Sequence, residues 1–397
     1  MRRLFLLICL LCSAVLSHSD DEMPVIAYIG VPGWRNVEAE FKTFSECGFT
    51  VSLNTYTSLD TLLKACDYAE KYGVRIIGGC QEMFDEPQRA ANALKDKKGF
   101  YGYLLKDEPS LLEIREMNEE MQRLKTVDST HTFYVNLFPN YYPEWIEPSQ
   151  TAKSYPEYVH ALAQTPCRQL SFDYYPVTSA GIRSTWYNNL EMIRKVSIET
   201  GKPFWAFVLS MPHDVPSTPD TYYPQPNIGS LRLQVYSNLA YGAQAIQYFT
   251  YWTPGDVQGL HFHDAPISPE GQKTNTYWLV QRMNRELKPV AKLFYGARVL
   301  SVGHLGTIPD GTKAVTEAPL NISRLEIVGK PGAVVSQFEK DGHRYLAIVN
   351  KNHKGSMKVL IKKKNNIPRY VTKLLRERSM KSSYTVPAGD ILLFRLN

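Results

Sequence analysis

The sequence predicts an α/β fold class, a (β/α)8 TIM barrel followed by a small all-β sandwich. Three observations lead there. Beginning at Pro24, eight short apolar runs alternate with amphipathic helical stretches. Their combined length matches one closed barrel, whereas a doubly wound sheet more often carries fewer strands. Beyond residue 300 the helical periodicity gives way to alternating strands separated by turn residues.

The eight runs are PVIAYIGVPG (24–33), FTVSLNT (49–55), VRIIGGC (74–80), FYGYLLKDEP (100–109), HTFYVNLFPN (131–140), QLSFDYYPV (169–177), PFWAFVLS (203–210) and QAIQYFTYW (244–252). Between them LDTLLKACDYAEKYG repeats apolar residues at intervals of three and four and closes on a glycine, as a helix does. Leu111–Leu124, Trp186–Thr200 and Leu231–Tyr241 follow the same rule, and a last helix is expected near Thr276–Phe294. FEKDGHRYLAIVNKN, SMKVLIKKK and YTVPAGDILLFRLN then read as short antiparallel strands of a sandwich. The expected organisation is a leader over 1–17, the barrel over 18–299 and the sandwich over 300–397.

The leader is read from two arginines, a short apolar run from Leu4 to Leu16 and small residues near Ser17, the pattern of a cleavable secretory signal. That run is too short to span a bilayer. Cys12 offers a lipid anchor as an alternative, against which Leu11 stands where a small residue would be expected. No later stretch is long enough for a membrane helix, so a secreted or periplasmic, extracytoplasmic protein is expected. Cys47, Cys66, Cys80 and Cys167 form no CxxC pair, which disfavours a zinc site and suggests buried thiols or one disulfide at most.

The net charge of +6 divides unevenly: residues 300–397 hold 17 Lys+Arg against 7 Asp+Glu, which leaves residues 18–299 at −6. An acidic main body argues against nucleic acid as its partner, and the KKK at 362–364 reads as a solvated face.

In a barrel the strand C-terminal ends form the active face. The residues closing the runs are Asn54, Gln81, Glu82, Asp107, Glu108, Asn136, Asp173, Tyr174, Tyr175, Ser210, Gln247, Tyr251 and Trp252. Acids, amides and aromatics dominate, with no phosphate-binding glycine loop and no cofactor signature, so no cofactor is expected. Such a lining suits a sugar, whose hydroxyls pair with carboxylates and amides while its apolar face stacks on an aromatic ring.

Taken together GYLLKDEP, FDYYP, TYW, FEKDGHRYLAIVN and VPAGDILLF resemble barrel glycoside hydrolases related to clan A, especially secreted Bacteroides-type members with a trailing β-sandwich. In that clan the fourth strand ends in Asn-Glu, the Glu being the acid/base. The resemblance therefore implies that role for Glu108, with Asp107 in place of the Asn. The clan's nucleophile closes the seventh strand, where this chain has Ser210 and no acid before Asp214. Glycosidic cleavage generally needs two acids, one protonated and one ionised, which makes Asp173 the best second carboxylate. Asp107 could serve instead only if the strand bends at its end, because adjacent strand residues point to opposite faces. Asn136, Tyr174, Tyr175, Gln247, Tyr251 and Trp252, with Asp107, are expected to contact the carbohydrate.

Two other classes stay open. One is a carbohydrate-binding or scaffold barrel that lost its chemistry, which the missing seventh-strand acid supports. The other is a metal-dependent hydrolase using His261 and His263 of HFHD, although a substrate-contacting or structural role suits that loop better. Asp85-Glu86-Pro87 reads as a helix start. Trp205 reads as core. Ser210, His213 and Asp214 lie too close in sequence to converge as a triad, and no GxSxG elbow accompanies them.

Overall fold

The computed structural model describes residues 22–35, 38–141, 154–214, 221–256 and 260–397. The expected leader, with Cys12, lies outside them. Each of the eight apolar runs forms one strand of a closed parallel barrel: β1 Val25–Tyr28, β2 Val51–Thr55, β3 Arg75–Gly79, β4 Phe100–Asp107, β5 Thr132–Leu137, β6 Leu170–Phe172, β7 Phe204–Leu209 and β8 Ala245–Phe249. Ile26 pairs with Val51 on one side and Gln247 on the other, so β1 closes the ring. The longer helices outside it are α1 Glu38–Glu46, α2 Leu59–Lys71, α3 Pro87–Leu94, α4 Leu111–Val127, α5 Tyr155–Ala163, α6 Trp186–Thr200, α7 Ile228–Tyr241 and α8 Asn275–Phe294.

Local chemistry explains where these helices begin and end. Ser110 accepts from the Glu113 backbone N–H while Glu113 reaches back to Ser110, a reciprocal cap that starts α4 two residues after Glu108. Glu86 precedes α3 and Pro87 occupies its first turn, as the Asp-Glu-Pro reading expects. Gly201 ends α6 at φ 68°, a left-handed conformation in which a Cβ would be strained.

Two apolar layers hold the barrel. Ile26, Leu53, Leu104, Tyr134, Trp205 and Phe207 fill its interior, so Trp205 is core as expected. The outward faces of the strands pack against the helices in a larger cluster. Cys47, Cys66, Cys80 and Cys167 are buried in it as free thiols. Among the described residues no helix is long and apolar enough to cross a membrane.

The C-terminal strands are β9 Arg298–Gly306, β10 Ile322–Val328, β11 Gly332–Lys340, β12 His343–Asn350, β13 Met357–Lys363, β14 Arg369–Val371, β15 Glu377–Ser379, β16 Ser383–Val386 and β17 Ile391–Arg395. They build a six-stranded sheet in the order β9-β11-β12-β17-β14-β15, facing a three-stranded sheet in the order β10-β13-β16. Alternation along β11 divides its work. Ala333 and Val335 join the core between the two sheets, while Val334 and Phe338 join the barrel's outer core, with Phe338 stacked on Phe294 of α8. Charge ties the same seam: Arg232 on α7 bonds Glu286 on α8 at 2.7 and 2.8 Å, and Lys373 of the sandwich bonds both Glu286 and Asp390.

Candidate active site

The site is built at the end of β4. Strict alternation would put Lys106 inside with Leu104, but the β4–β5 register shifts between Leu104 and Lys106. This bulge reverses the parity. Lys106 now pairs with Glu113 on α4, and Asp107 turns inward beside Asn136 of β5. Glu108 then takes φ 48°, and its N–H donates to the Asn136 carbonyl at 2.9 Å. A left-handed conformation is uncommon for a non-glycine residue and concentrates at functional positions. It supplies the strand-end bend that Asp107 and Glu108 need to share one site.

Asn136 organises the acids. Its Nδ2 donates to Asp107 Oδ1 and to Asp173 Oδ1, each at 3.1 Å, so those two oxygens lie no farther apart than twice that distance. Its Oδ1 accepts from Ser171 at 2.9 Å. Ser171 in turn accepts from Gln247 Nε2 at 2.9 Å, and Gln247 Oε1 accepts from the Tyr134 hydroxyl at 2.7 Å. Gln247 is fully buried in this chain of bonds, where it supports the Asn136 amide and is not exposed to substrate. Buried polar networks of this kind are rigid when every member is satisfied.

The electrostatics follow from crowding. Burial, then the neighbouring Asp107 charge, pushes the Glu108 carboxyl up to about 8. Burial raises Asp173 well above the usual carboxylate range, with Glu108 and Asp107 adding to it. Asp107 opens to solvent on one side but is surrounded by protein on the others. Burial raises it too, opposed by hydrogen bonds from Asn136 and Tyr28 and by the Lys106 charge. Three carboxyls that feel one another's charge in a buried site do not all ionise readily at neutral pH. Asp107 is the exposed member and the Lys106 charge opposes its rise, so it is the one best able to hold the negative charge.

The remaining expected residues divide. Tyr175 stands with the acids, its ring against Phe207, Tyr223 and Phe249. Burial raises its hydroxyl well above the ordinary range, with Asp173, Asp107 and Glu108 adding to that. Tyr174 points away, its hydroxyl bonded to Thr185 at 2.6 Å within the outer core. Tyr251 is fully buried, wedged edge-on against Phe44 and Phe49. Inward alternation along β8 ends with the strand at Phe249, so it does not carry to Tyr251. Trp252 is also buried, yet the exposed Trp34 packs edge-on to it at 5.5 Å. Neither Tyr174 nor Tyr251 offers a face to a sugar.

Ser210 lies at the end of β7 with its hydroxyl donated to the Thr250 carbonyl, and His213 packs between Tyr223 and Phe262. These two and the exposed Asp214 form no triad. His261 pairs with Asp256 and His263 with Asp264, all exposed. Among the described residues no three His, Cys, Asp or Glu side chains gather as a metal group.

Several site residues were not singled out in the sequence. Tyr28 closes β1 and bonds Asp107. Strand-end position could have found it. Trp34 follows the same strand in VPGWR, at the mouth of the barrel. Ser171 and Tyr134 carried no signal, because their role depends on register between strands far apart in sequence. Arg183 lies over the rings of Tyr141 and Tyr223 and donates to the Tyr223 hydroxyl at 3.0 Å.

Residues 130–290 match the sequence profile of the Glyco_hydro_42 β-galactosidase family. A search of curated proteins finds no significant match. Among solved structures, a catalytic mutant of Gan42B, a GH42 β-galactosidase from G. stearothermophilus, aligns at 8% identity with TM-score 0.59, covering 95% of this chain and 98% of that one. A β-galactosidase from Bacillus circulans sp. alkalophilus aligns at 9% identity and TM-score 0.59, covering 95% and 99%. A glycoside hydrolase family 5 protein from Bacteroides vulgatus aligns at 10% identity and TM-score 0.55, covering 95% and 89%. At these identities the structural likenesses speak to the fold alone. With the profile match, the chain is an enzyme of the glycosidase class, its glycan open.

Proposed function

We propose, taking the glycosidase class as the premise, that the barrel mouth cleaves an O-glycosidic bond with Glu108 as the proton donor and a β-galactoside as the first substrate to try. The carrying observation is the Glu108 carboxyl held near 8 beside Asp107, at the bent end of β4. A carboxyl of ordinary pKa would be ionised at neutral pH and unable to donate. Asp107 suits the complementary role: open to solvent, fed by Asn136 and Tyr28, it is the group that can stay negative against a developing oxocarbenium charge. Asp173, 7% exposed, remains the second candidate for that role. The β-galactoside comes from the profile match. Export to the cell exterior or periplasm belongs to the same proposal and rests on the leader-like residues 1–17.

The test is a panel of aryl glycosides and polysaccharides assayed with the wild type and with Glu108→Gln. Turnover of at least one glycoside by the wild type, lost in the variant, supports the reading. A wild type inert on the whole panel, while still binding a glycan, would leave a recognition barrel in its place.

A further inference from the structure

A cavity lies at the end of the barrel opposite the acids. Its volume is ≈ 900 Å³, and strand beginnings line it: Arg75, Phe100 and Thr132 open β3, β4 and β5, while Pro203 and Gln244 immediately precede β7 and β8. All eight strands are parallel, so this end is opposite the acids at the end of β4. The interior layer of Trp205, Tyr134 and Gln247 fills the barrel between them.

The lining reverses the sign of the acidic barrel. Arg75, Lys95, Lys97, Lys98 and Arg168 face this cavity together with one acid, Asp96. Lys97 and Lys98 pair with Asp67 at 2.6 Å and Glu70 at 3.9 Å. Lys95 Nζ donates to the neutral Asn92 side chain and Arg168 Nη2 to the Ser129 carbonyl, and among the described residues neither pairs with a carboxylate. Aromatic surface lies between the cations. Tyr101, half-buried, carries Arg75 4.3 Å over its ring, while Trp205 and Phe100 lie behind it, 6% and 2% exposed.

We infer that this basal cavity binds an anionic oligosaccharide, one carrying carboxylate or sulfate groups. A single small anion would leave most of the space empty, since pockets of roughly 300–1,000 Å³ take ligands of drug size. The cations come from three separate segments, so a ligand must present several charges to meet them. The half-buried Tyr101 ring gives one sugar ring an apolar edge to lie against.

Isothermal titration of the full chain tests this with three probes: a sulfated chondroitin tetrasaccharide, trigalacturonate and neutral maltotriose. At least one anionic probe is expected to bind, weakening as salt rises, while maltotriose does not. The paired substitution Lys95→Glu with Arg168→Glu should weaken binding by about 10-fold or more, corresponding to about 1.4 kcal/mol. Should that protein fail to fold, Lys95→Gln with Arg168→Gln should give a smaller loss in the same direction. Preference between the two anions assigns sulfate or carboxylate. Binding of neither anion would overturn the inference, as would unchanged affinity in both paired variants. So would a loss that instead follows Glu substitution of Lys362, Lys363 and Lys364 on the sandwich.

Discussion

One amide nitrogen, Asn136 Nδ2, donates to Asp107 and to Asp173 at 3.1 Å each, tying a carboxyl at the end of β4 to one at the end of β6 across β5. The two strands do not pair, so this bridge is how the site joins their acids. Asn136→Ala should therefore lower stability by about 1–3 kcal/mol, the usual penalty for stranding buried polar partners. It should also raise the pH at which the acids ionise. Urea denaturation and a pH–rate profile read the two effects; an unchanged profile would mean that Asn136 is structural only.

Replacing Glu108 by Gln keeps the shape and removes the proton. Turnover on a substrate with a poor leaving group should drop by roughly 10²-fold or more, with glycan binding retained. Steady-state kinetics beside titration calorimetry separates these outcomes, and wild-type turnover in the variant would sink the proton-donor assignment.

The pH dependence of Glu108 runs opposite to that of an ordinary salt-bridged acid. With its carboxyl near 8 in the fold against 4.5 when free, the folded chain holds a proton between those values that the unfolded chain releases. Its contribution to stability therefore declines as pH rises from 4.5 through 8. Activity should fall on the alkaline side near pH 8 as the donor ionises. Melting curves at several pH values should show the wild type losing stability relative to Glu108→Gln across that window, and parallel curves would contradict the raised carboxyl.

Glu286 has the reverse sign. Burial alone would raise it, but bonds from Arg232 and Lys373 outweigh this and bring it down to about 2. The stability it contributes is present above 4.5 and is lost as pH falls toward 2. Glu286→Gln leaves Arg232 and Lys373 with Asp390 alone as their carboxylate at the barrel–sandwich seam, so a loss of about 1–3 kcal/mol is expected. Differential scanning calorimetry of the variant at pH 7 is the check.

Tyr251, expected at the substrate, is buried, while Trp34, to which the sequence drew no attention, is exposed at the mouth. Tyr251→Ala should destabilise by about 3–5 kcal/mol, as large buried aromatics do, while leaving KM close to wild type. Trp34→Ala, at a position 68% exposed, should change melting little and weaken glycan binding. The opposite ranking would return Tyr251 to the substrate surface.

Much of this molecule was legible in one dimension. Eight apolar runs at barrel spacing, helices with a period near 3.6 and a final change to alternation are local patterns, and local patterns determine local structure. The same reading marked Asp107, Glu108, Asn136 and Asp173, because strand ends and chemistry-bearing residue types are both visible in the letters. Which way those side chains point was decided only by the tertiary structure. A bulge between Leu104 and Lys106 reverses the face of every later β4 residue, and a left-handed Glu108 turns the acid back into the mouth. The Ser171–Gln247–Tyr134 network that supports Asn136 and the cations gathered at the barrel base depend on strand order and register, and so does the burial that holds the proton on Glu108. Each depends on residues far apart in the chain meeting in space, and pairing between distant segments leaves no mark on the sequence of either one.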